Sequence, residues 1–463
     1  RQRQMCIRDS YRNVAFFFNG TYSYKGRYTL NGTLRYEGNN ALGLTTRSRW
    51  LPTWNVSGAW NVHEENFFNS ISKAVSHLSL KASYSLTADR PSVTNALAVI
   101  QSYSPWRPSA GVTESGLTIK DLENSDLTYE KKHELNIGAD LGFLDNRINL
   151  TVDWYKRDNF DLIGLVMTQG IGGQIQKYGN VATMKSRGIE FSLSTKNIKT
   201  KDFSWTTDFI YSHMKNEVTK FNTSTRAFNL VSGIGFSREG YPVNSLFSYD
   251  FRGLNEDGVP TFINEAGVLT STDINFQETE RFDNLVYSGP SEPTDVGSFG
   301  NIFQYKGLRL NVFITYSFGN VVRLDPVFSS IYNDLDAMPR EFRNRWMTPG
   351  DERYTDVPAI VSSRQVRNDS KLSYAYNAYN YSTARIAKGD FIRMKEISLT
   401  YDFPKRWIKK LRMSNLALKI QATNLFLIYA DKKLNGQDPE FFNSGGVATP
   451  VPKQFTLTLK IGL

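Results

Sequence analysis

Residues 134–158, ELNIGADLGFLDNRINLTVDWYKRD, alternate apolar and polar positions almost without a break. Leu135, Ile137, Ala139, Leu141 and Phe143 share one parity. After a tight Leu144-Asp145-Asn146 turn the pattern resumes on the other parity, with Ile148, Leu150, Val152 and Trp154. A period of two marks a β-strand with one apolar and one polar face. The same pattern predicts about fifteen strands, near 13–24, 27–38, 52–62, 76–86, 131–143, 147–160, 181–197, 202–216, 243–254, 258–265, 295–306, 308–319, 388–402, 414–427 and 452–463. Most reach the roughly 9–11 residues that a tilted strand needs to cross a bilayer, whereas strands in soluble sandwiches run about 5–6.

From the second strand onward the connections go long, short, long, short. Lys25-Gly26, 144–146, 198–201, 255–257 and 306–307 are short; 87–130, 161–180, 217–242, 266–294, 320–387 and 428–451 are long. In an up-and-down antiparallel sheet alternate connections lie on one edge, so the loop mass gathers on one side, as in outer-membrane barrels. Segments 63–75 and 403–413 are somewhat long for the short side. Alternation alone does not separate a soluble core from a lipid-facing wall. The number of long strands favours lipid, as do aromatics at strand ends: Trp54, Trp60, Phe143, Trp154, Trp205, Tyr401, Trp407 and Phe426.

Composition narrows the classes. The 463 residues are 40% hydrophobic and 13% aromatic, with a mean hydropathy of −0.41. No stretch approaches the roughly 20 apolar residues of a membrane helix, which leaves a barrel open because its apolar residues are every second one. The single cysteine, Cys6, excludes a disulfide framework and a cysteine metal cage. It sits in RQRQMCIRDS, which lacks strand period and the apolar core of a signal peptide, so residues 1–10 are expected to be a non-native segment. The net charge of +10 is spread over turns and loops without a basic helix, which argues against nucleic acid.

Several stretches resemble the SusC-like (RagA-type) TonB-dependent transporters of the Bacteroidota outer membrane. The most specific is 389–441, with Phe-Ile-Arg-Met-Lys-Glu-Ile-Ser-Leu at 391–399, Asn-Leu-Phe at 424–426 and Gly-Gln-Asp-Pro-Glu at 436–440. YGNVATMKSRGIEFSL (178–193) and the segments 240–262 and 297–320 are similar to further family stretches. The family commonly ends in an aromatic residue where this chain has Leu463, although Phe455, Leu457 and Leu459 keep that signal's phase. The resemblance implies an all-β, antiparallel up-and-down transmembrane β-barrel. Residues 11–463 would be its C-terminal portion, about 15 of about 22 strands, without plug, TonB-binding segment or signal peptide. It also implies TonB-dependent import of large nutrients, oligosaccharides or peptides, together with a SusD-like surface lipoprotein, the TonB–ExbB–ExbD complex and outer-membrane lipid. A passive porin-like barrel and a soluble carbohydrate-binding module are the alternatives.

No catalytic, cofactor or metal signature is found. His63, His77, His133 and His213 lack metal spacing, HEEN at 63–66 lacks a second histidine, and GIGGQ at 170–174 precedes no helix pattern. NEDG at 255–258 lacks the remaining ligands of a calcium loop. The candidate substrate residues are in the long loops: Tyr103, Trp106, Tyr374, Tyr376, Asn377, Tyr379, Asn380 and Tyr381. Aromatic faces pack on sugar C–H surfaces while hydroxyls and amides hydrogen-bond, although the same tyrosines could pack loops together or dock a protein. Arg35, Lys81, Arg309 and Lys419 are expected to line the lumen.

Overall fold

The computed structural model describes residues 12–89, 96–104, 116–170, 174–223, 225–232, 235–326, 340–410, 413–442 and 452–462. Thirteen antiparallel strands make one sheet in which each strand neighbours the next in sequence. They are β1 Asn13–Tyr24, β2 Tyr28–Asn39, β3 Trp50–Asn61, β4 Val75–Asp89, β5 Glu130–Phe143, β6 Ile148–Met167, β7 Gln176–Lys199, β8 Phe203–Phe221, β9 Asp295–Tyr305, β10 Leu308–Phe318, β11 Phe391–Asp402, β12 Asn415–Ala430 and β13 Gln454–Gly462.

Two of the fifteen expected strands are not in this sheet. Residues 243–254 and 258–265 fold inside the connection between β8 and β9. There Ser245–Tyr249 pairs with Leu285–Pro290, while Phe251–Leu254, Pro260–Ile263 and Leu269–Thr270 form a three-stranded sheet. The reason is burial on both faces. All five residues of Ser245–Tyr249 are buried, so their run is that of a short core strand rather than a membrane crossing.

With thirteen strands the longest connections all share one edge, although 62–74 and 403–414 on the short-turn edge exceed 40–49 and 168–175 on the other. Residues 25–27, 62–74, 144–147, 200–202, 306–307 and 403–414 lie on one edge; 40–49, 90–129, 168–175, 222–294, 319–390 and 431–453 lie on the other. Short 3-10 turns fold 62–74, and the helix Lys405–Lys410 folds 403–414. In the 25–27 turn Lys25 and Gly26 have φ of 51° and 69°, the left-handed pair of a type I′ turn, closed by Arg27 N–H donating to Tyr24 O at 3.0 Å.

The chain divides into two compact units, one within residues 1–145, 151–189 and 216–224, the other within 146–150, 190–215 and 225–463. In the first, cross-strand register joins Tyr22, Leu30, Gly58, Ala82 and Ile137 on one face, and Asn19, Thr33, Asn55, Ser85 and Glu134 on the other. In the second, Trp205, Phe303, Leu310, Leu399, Ile420 and Leu457 share a face; Gln304, Arg309, Thr400, Lys419 and Thr458 share the opposite one. Both apolar faces are open. Phe18 is 69% exposed, Phe455 74% and Leu457 70%. Among the described residues, the clusters of buried apolar side chains lie in the connections and at strand ends. A water-soluble sheet would bury its apolar face against another layer. These faces therefore meet lipid. No helix among the described residues is long and apolar enough to cross a membrane.

Candidate functional site

The polar face of the sheet is charged, and several of its charges are paired. In the first unit Arg35 Nη2 lies 2.5 Å from Glu37. Lys81 is bonded to Asp140, which also accepts from Thr151 Oγ1 at 3.0 Å. In the second unit Glu396 accepts from Gln421 (3.1 Å) and Asn311 (3.3 Å), with Lys419 Nζ 3.9 Å away. Arg309 stands between Gln304 and Thr400 in the register. All four residues expected to line a lumen thus lie on polar faces. The alternation decides this, because each is flanked by apolar neighbours of the other parity. The first unit also has a concavity of about 420 Å³ on this face, lined in part by Thr33, Arg35, Glu37, Asn55, Thr87 and Asp89. Only Arg35 stood out in the sequence; the small hydroxyl and amide groups around it carry no motif.

The long connections of the second unit fold into a body with its own core. Phe247, Tyr249, Phe262, Phe276, Leu285, Phe342, Ala378 and Tyr379 belong to one cluster. The tyrosine-rich stretch forms the helix Leu372–Asn380. Tyr376 and Tyr379 point inward at 1% and 2% exposure, and the Tyr376 hydroxyl donates to Ala359 O at 2.8 Å. Asn380 is also buried, and Tyr381 is half-buried against Phe228. Tyr374, stacked on Phe276 at 6.2 Å, and Asn377 remain exposed. The helical period separates these residues, since positions three apart share a face. In the first unit Tyr103 is exposed at the end of the hairpin Val99–Tyr103 with Gly116–Asp121. Trp106 and residues 1–10 lie outside the described residues.

Buried arginines, unmarked by sequence pattern, hold this body together. Arg323 donates to Phe247 O (2.7 Å), Ser248 Oγ (3.1 Å) and Ser382 O (3.4 Å). Burial pushes its guanidinium down to about 10. Arg385 pairs with Glu341 and donates to Asp325 O at 2.5 Å. The NEDG turn also has a packing role. Gly258 has φ +72°, and a Cβ there would come within 2.5 Å of the Trp346 ring.

The quoted motifs also acquire reasons. Arg393, 4% exposed, lies 2.5 Å from Asp438 and 3.1 Å from Glu440, so the 391–399 and 436–440 stretches meet as an ion triad. Asn424 has φ 52°, and with Leu425 it opposes Lys395 as a bulge that re-aims β12. In the first unit, the Asn180 side chain exchanges hydrogen bonds with Thr128 N and O at 3.0 Å and donates to Asp161 O. The His63 and His77 rings lie 4.1 Å apart, tilted by 45°. Among the described residues no group of three His, Cys, Asp or Glu is placed to hold a metal.

The sequence model of the family described as "TonB dependent receptor-like, beta-barrel" matches residues 7–425. The chain belongs to this family. It is 25% identical to TonB-dependent receptor P3 of Formosa agariphila over 92% of its own length and 42% of that protein. It is 26% identical to TonB-dependent receptor SusC of Bacteroides thetaiotaomicron over 97% of its own length and 43% of that protein. A solved structure of the RagAB peptide transporter superposes with a TM-score of 0.79 at 24% identity, over 98% of this chain and 48% of that one. The chain thus spans less than half the length of the curated relatives it matches. Receptors of this family are outer-membrane β-barrels, which overturns the soluble-module reading and agrees with the open apolar faces.

For this receptor barrel the loop body predicts a pH response. Burial pushes the Tyr379 phenol up to about 12, opposed by the nearby Arg385 charge, and Tyr249 is pushed the same way by burial. An unfolded tyrosine releases its proton near 10. Above that pH the unfolded state holds fewer protons than the folded one, so stability falls as pH rises and the effect is nil below. Tyr379 alone should remove about 3 kcal/mol between pH 10 and 12. Near-UV circular dichroism of denaturant unfolding at successive pH values checks this, with Tyr379→Phe giving a shallower slope.

Proposed function

We propose that residues 11–463 supply the tenth through last strands of a barrel of about 22, in a protein that imports large polar nutrients, oligosaccharides first, across the outer membrane. In this reading TonB–ExbB–ExbD drives a plug carried by the rest of the protein, and a SusD-like lipoprotein covers the long-loop side. The observation that carries it is the paired, hydrogen-bonding polar face in both units, with the loop mass gathered on one edge. Such a wall offers many weak polar contacts, which suits a passing neutral glycan. Tyr374, Asn377 and Tyr103 are the exposed loop groups that would meet cargo first; Tyr376, Tyr379 and Asn380 act by shaping the body beneath them. The name of RagAB, a peptide transporter, supports peptides as a second reading. No catalysis is involved.

The test deletes the full-length gene in its host and follows uptake of labelled oligosaccharides and oligopeptides, with and without a protonophore. Loss of oligosaccharide uptake, together with its abolition by the protonophore in the wild type, is expected. Loss confined to peptides overturns the glycan assignment. Wild-type uptake that persists without proton-motive force overturns energy coupling and leaves a passive channel.

A further inference from the structure

The lipid face of the first unit is not uniform. Near the short-turn edge it is indented by a groove of about 550 Å³. Its floor is Gly58 and Ala82, directly paired across β3 and β4. Its walls include Tyr22, Leu30, Trp60 and Ile137. A Cβ on Gly58 would find nothing closer than Thr29 O at 3.9 Å, so the indentation is space left open rather than forced by backbone packing.

The rim of this groove is fixed before any ligand arrives. Tyr28 and Trp60 stack with ring centroids 6.2 Å apart and planes 15° from parallel. Both are tied to one carboxylate: Glu65 accepts from the Tyr28 hydroxyl at 2.5 Å and from Trp60 Nε1 at 3.2 Å, and pairs with Arg27 at 3.1 Å. Beside them Lys25 Nζ lies 5.2 Å from the centre of the Tyr24 ring, and among the described residues its ammonium has no ion pair. An apolar slot, an ordered aromatic wall and an unspent cation follow one another from the bilayer interior to its surface.

We propose that this groove is a specific site for one glycerophospholipid, with an acyl chain lying over Gly58 and Ala82 and the phosphate on Lys25. The proposal rests on the outer-membrane assignment. The groove is continuous with the lipid-facing surface already described, and its charge is on the edge of short turns, which in this class of barrel faces the periplasm. A pre-ordered wall lowers the cost of immobilising the chain, which distinguishes a site from ordinary annular contact. Lys25 adds attraction to the phosphate of the size expected for a basic side chain at an anionic membrane surface.

The experiment uses the full-length receptor in detergent, titrated with dipalmitoyl phosphatidylglycerol and observed by native mass spectrometry. Wild-type protein should retain one lipid after detergent exchange. Lys25→Glu should weaken retention about fivefold or more, the factor set by one basic residue at such a surface. Gly58→Leu, which fills the floor without a backbone clash, should also weaken it, while Ile461→Leu on the second unit's apolar face should leave it unchanged. Heat-modifiable electrophoretic mobility confirms that each variant is a folded barrel. Equal retention by all four proteins means annular lipid only and overturns the proposal. Preference for a lipid A disaccharide over the phosphatidylglycerol overturns it as well, since that lipid belongs to the opposite leaflet.

Discussion

Replacing Arg393 by alanine should cost the receptor about 3–5 kcal/mol, the usual penalty for removing one partner of a buried ion pair. Arg393 lies in the 391–399 stretch on β11 and is 4% exposed, with Asp438 at 2.5 Å and Glu440 at 3.1 Å. Asp438 is itself only 11% exposed and also accepts the Glu440 backbone N–H at 3.1 Å, which shapes the turn Pro439–Phe441. Truncating the arginine leaves that carboxylate partly desolvated with its counter-charge gone. Replacing both residues together, as Arg393→Met with Asp438→Leu, should cost much less, because no charge is then stranded. The measurement is the denaturant midpoint of near-UV circular dichroism for the single and double variants. A single variant within about 1 kcal/mol of wild type would show that water reaches the triad and that the pair is an ordinary surface bridge.

That triad also shows how far the sequence could be read. Period-two alternation identifies the strands of the sheet, because a strand with one face in lipid and one in water must change polarity at every residue. The same criterion overcounts where burial is two-sided. Residues 247–252 alternate like a wall strand, yet all five residues of Ser245–Tyr249 are buried in the loop body. Local pattern carries no information on whether the far side of a strand meets lipid or a neighbouring loop. Arg35, Lys81, Arg309 and Lys419 fall on the polar face for a related reason: parity alone decides it. The tyrosine cluster was harder. Four tyrosines within eight residues suggest a binding surface, but the helix Leu372–Asn380 turns Tyr376 and Tyr379 inward and leaves Tyr374 outside. Contacts such as Arg393 with Asp438 join residues distant in sequence. Charge and aromatic chemistry announce that such partners exist, and only the fold chooses them.

The assignment of the two faces itself predicts opposite outcomes for neighbouring residues on β12. Ile420 pairs with Leu399 and Leu457 and is 53% exposed on the apolar face; Gln421 pairs with Ser398 and Thr456 and donates to Glu396 at 3.1 Å on the other. Ile420→Arg puts a cation into hydrocarbon and should cost about 2–4 kcal/mol at mid-bilayer depth. Gln421→Arg reaches water and the Glu396 carboxylate, so its cost should be within about 1 kcal/mol of zero. Refolding of the full-length variants into phosphatidylcholine vesicles, with folded fraction followed against denaturant, measures both. If Gln421→Arg is the damaging change, the polar face is the one in lipid and the import path cannot run along it. If both are tolerated, the sheet's apolar face is not in hydrocarbon at all. The parity argument makes a stronger demand than simple tolerance, because one step along the chain must reverse the result.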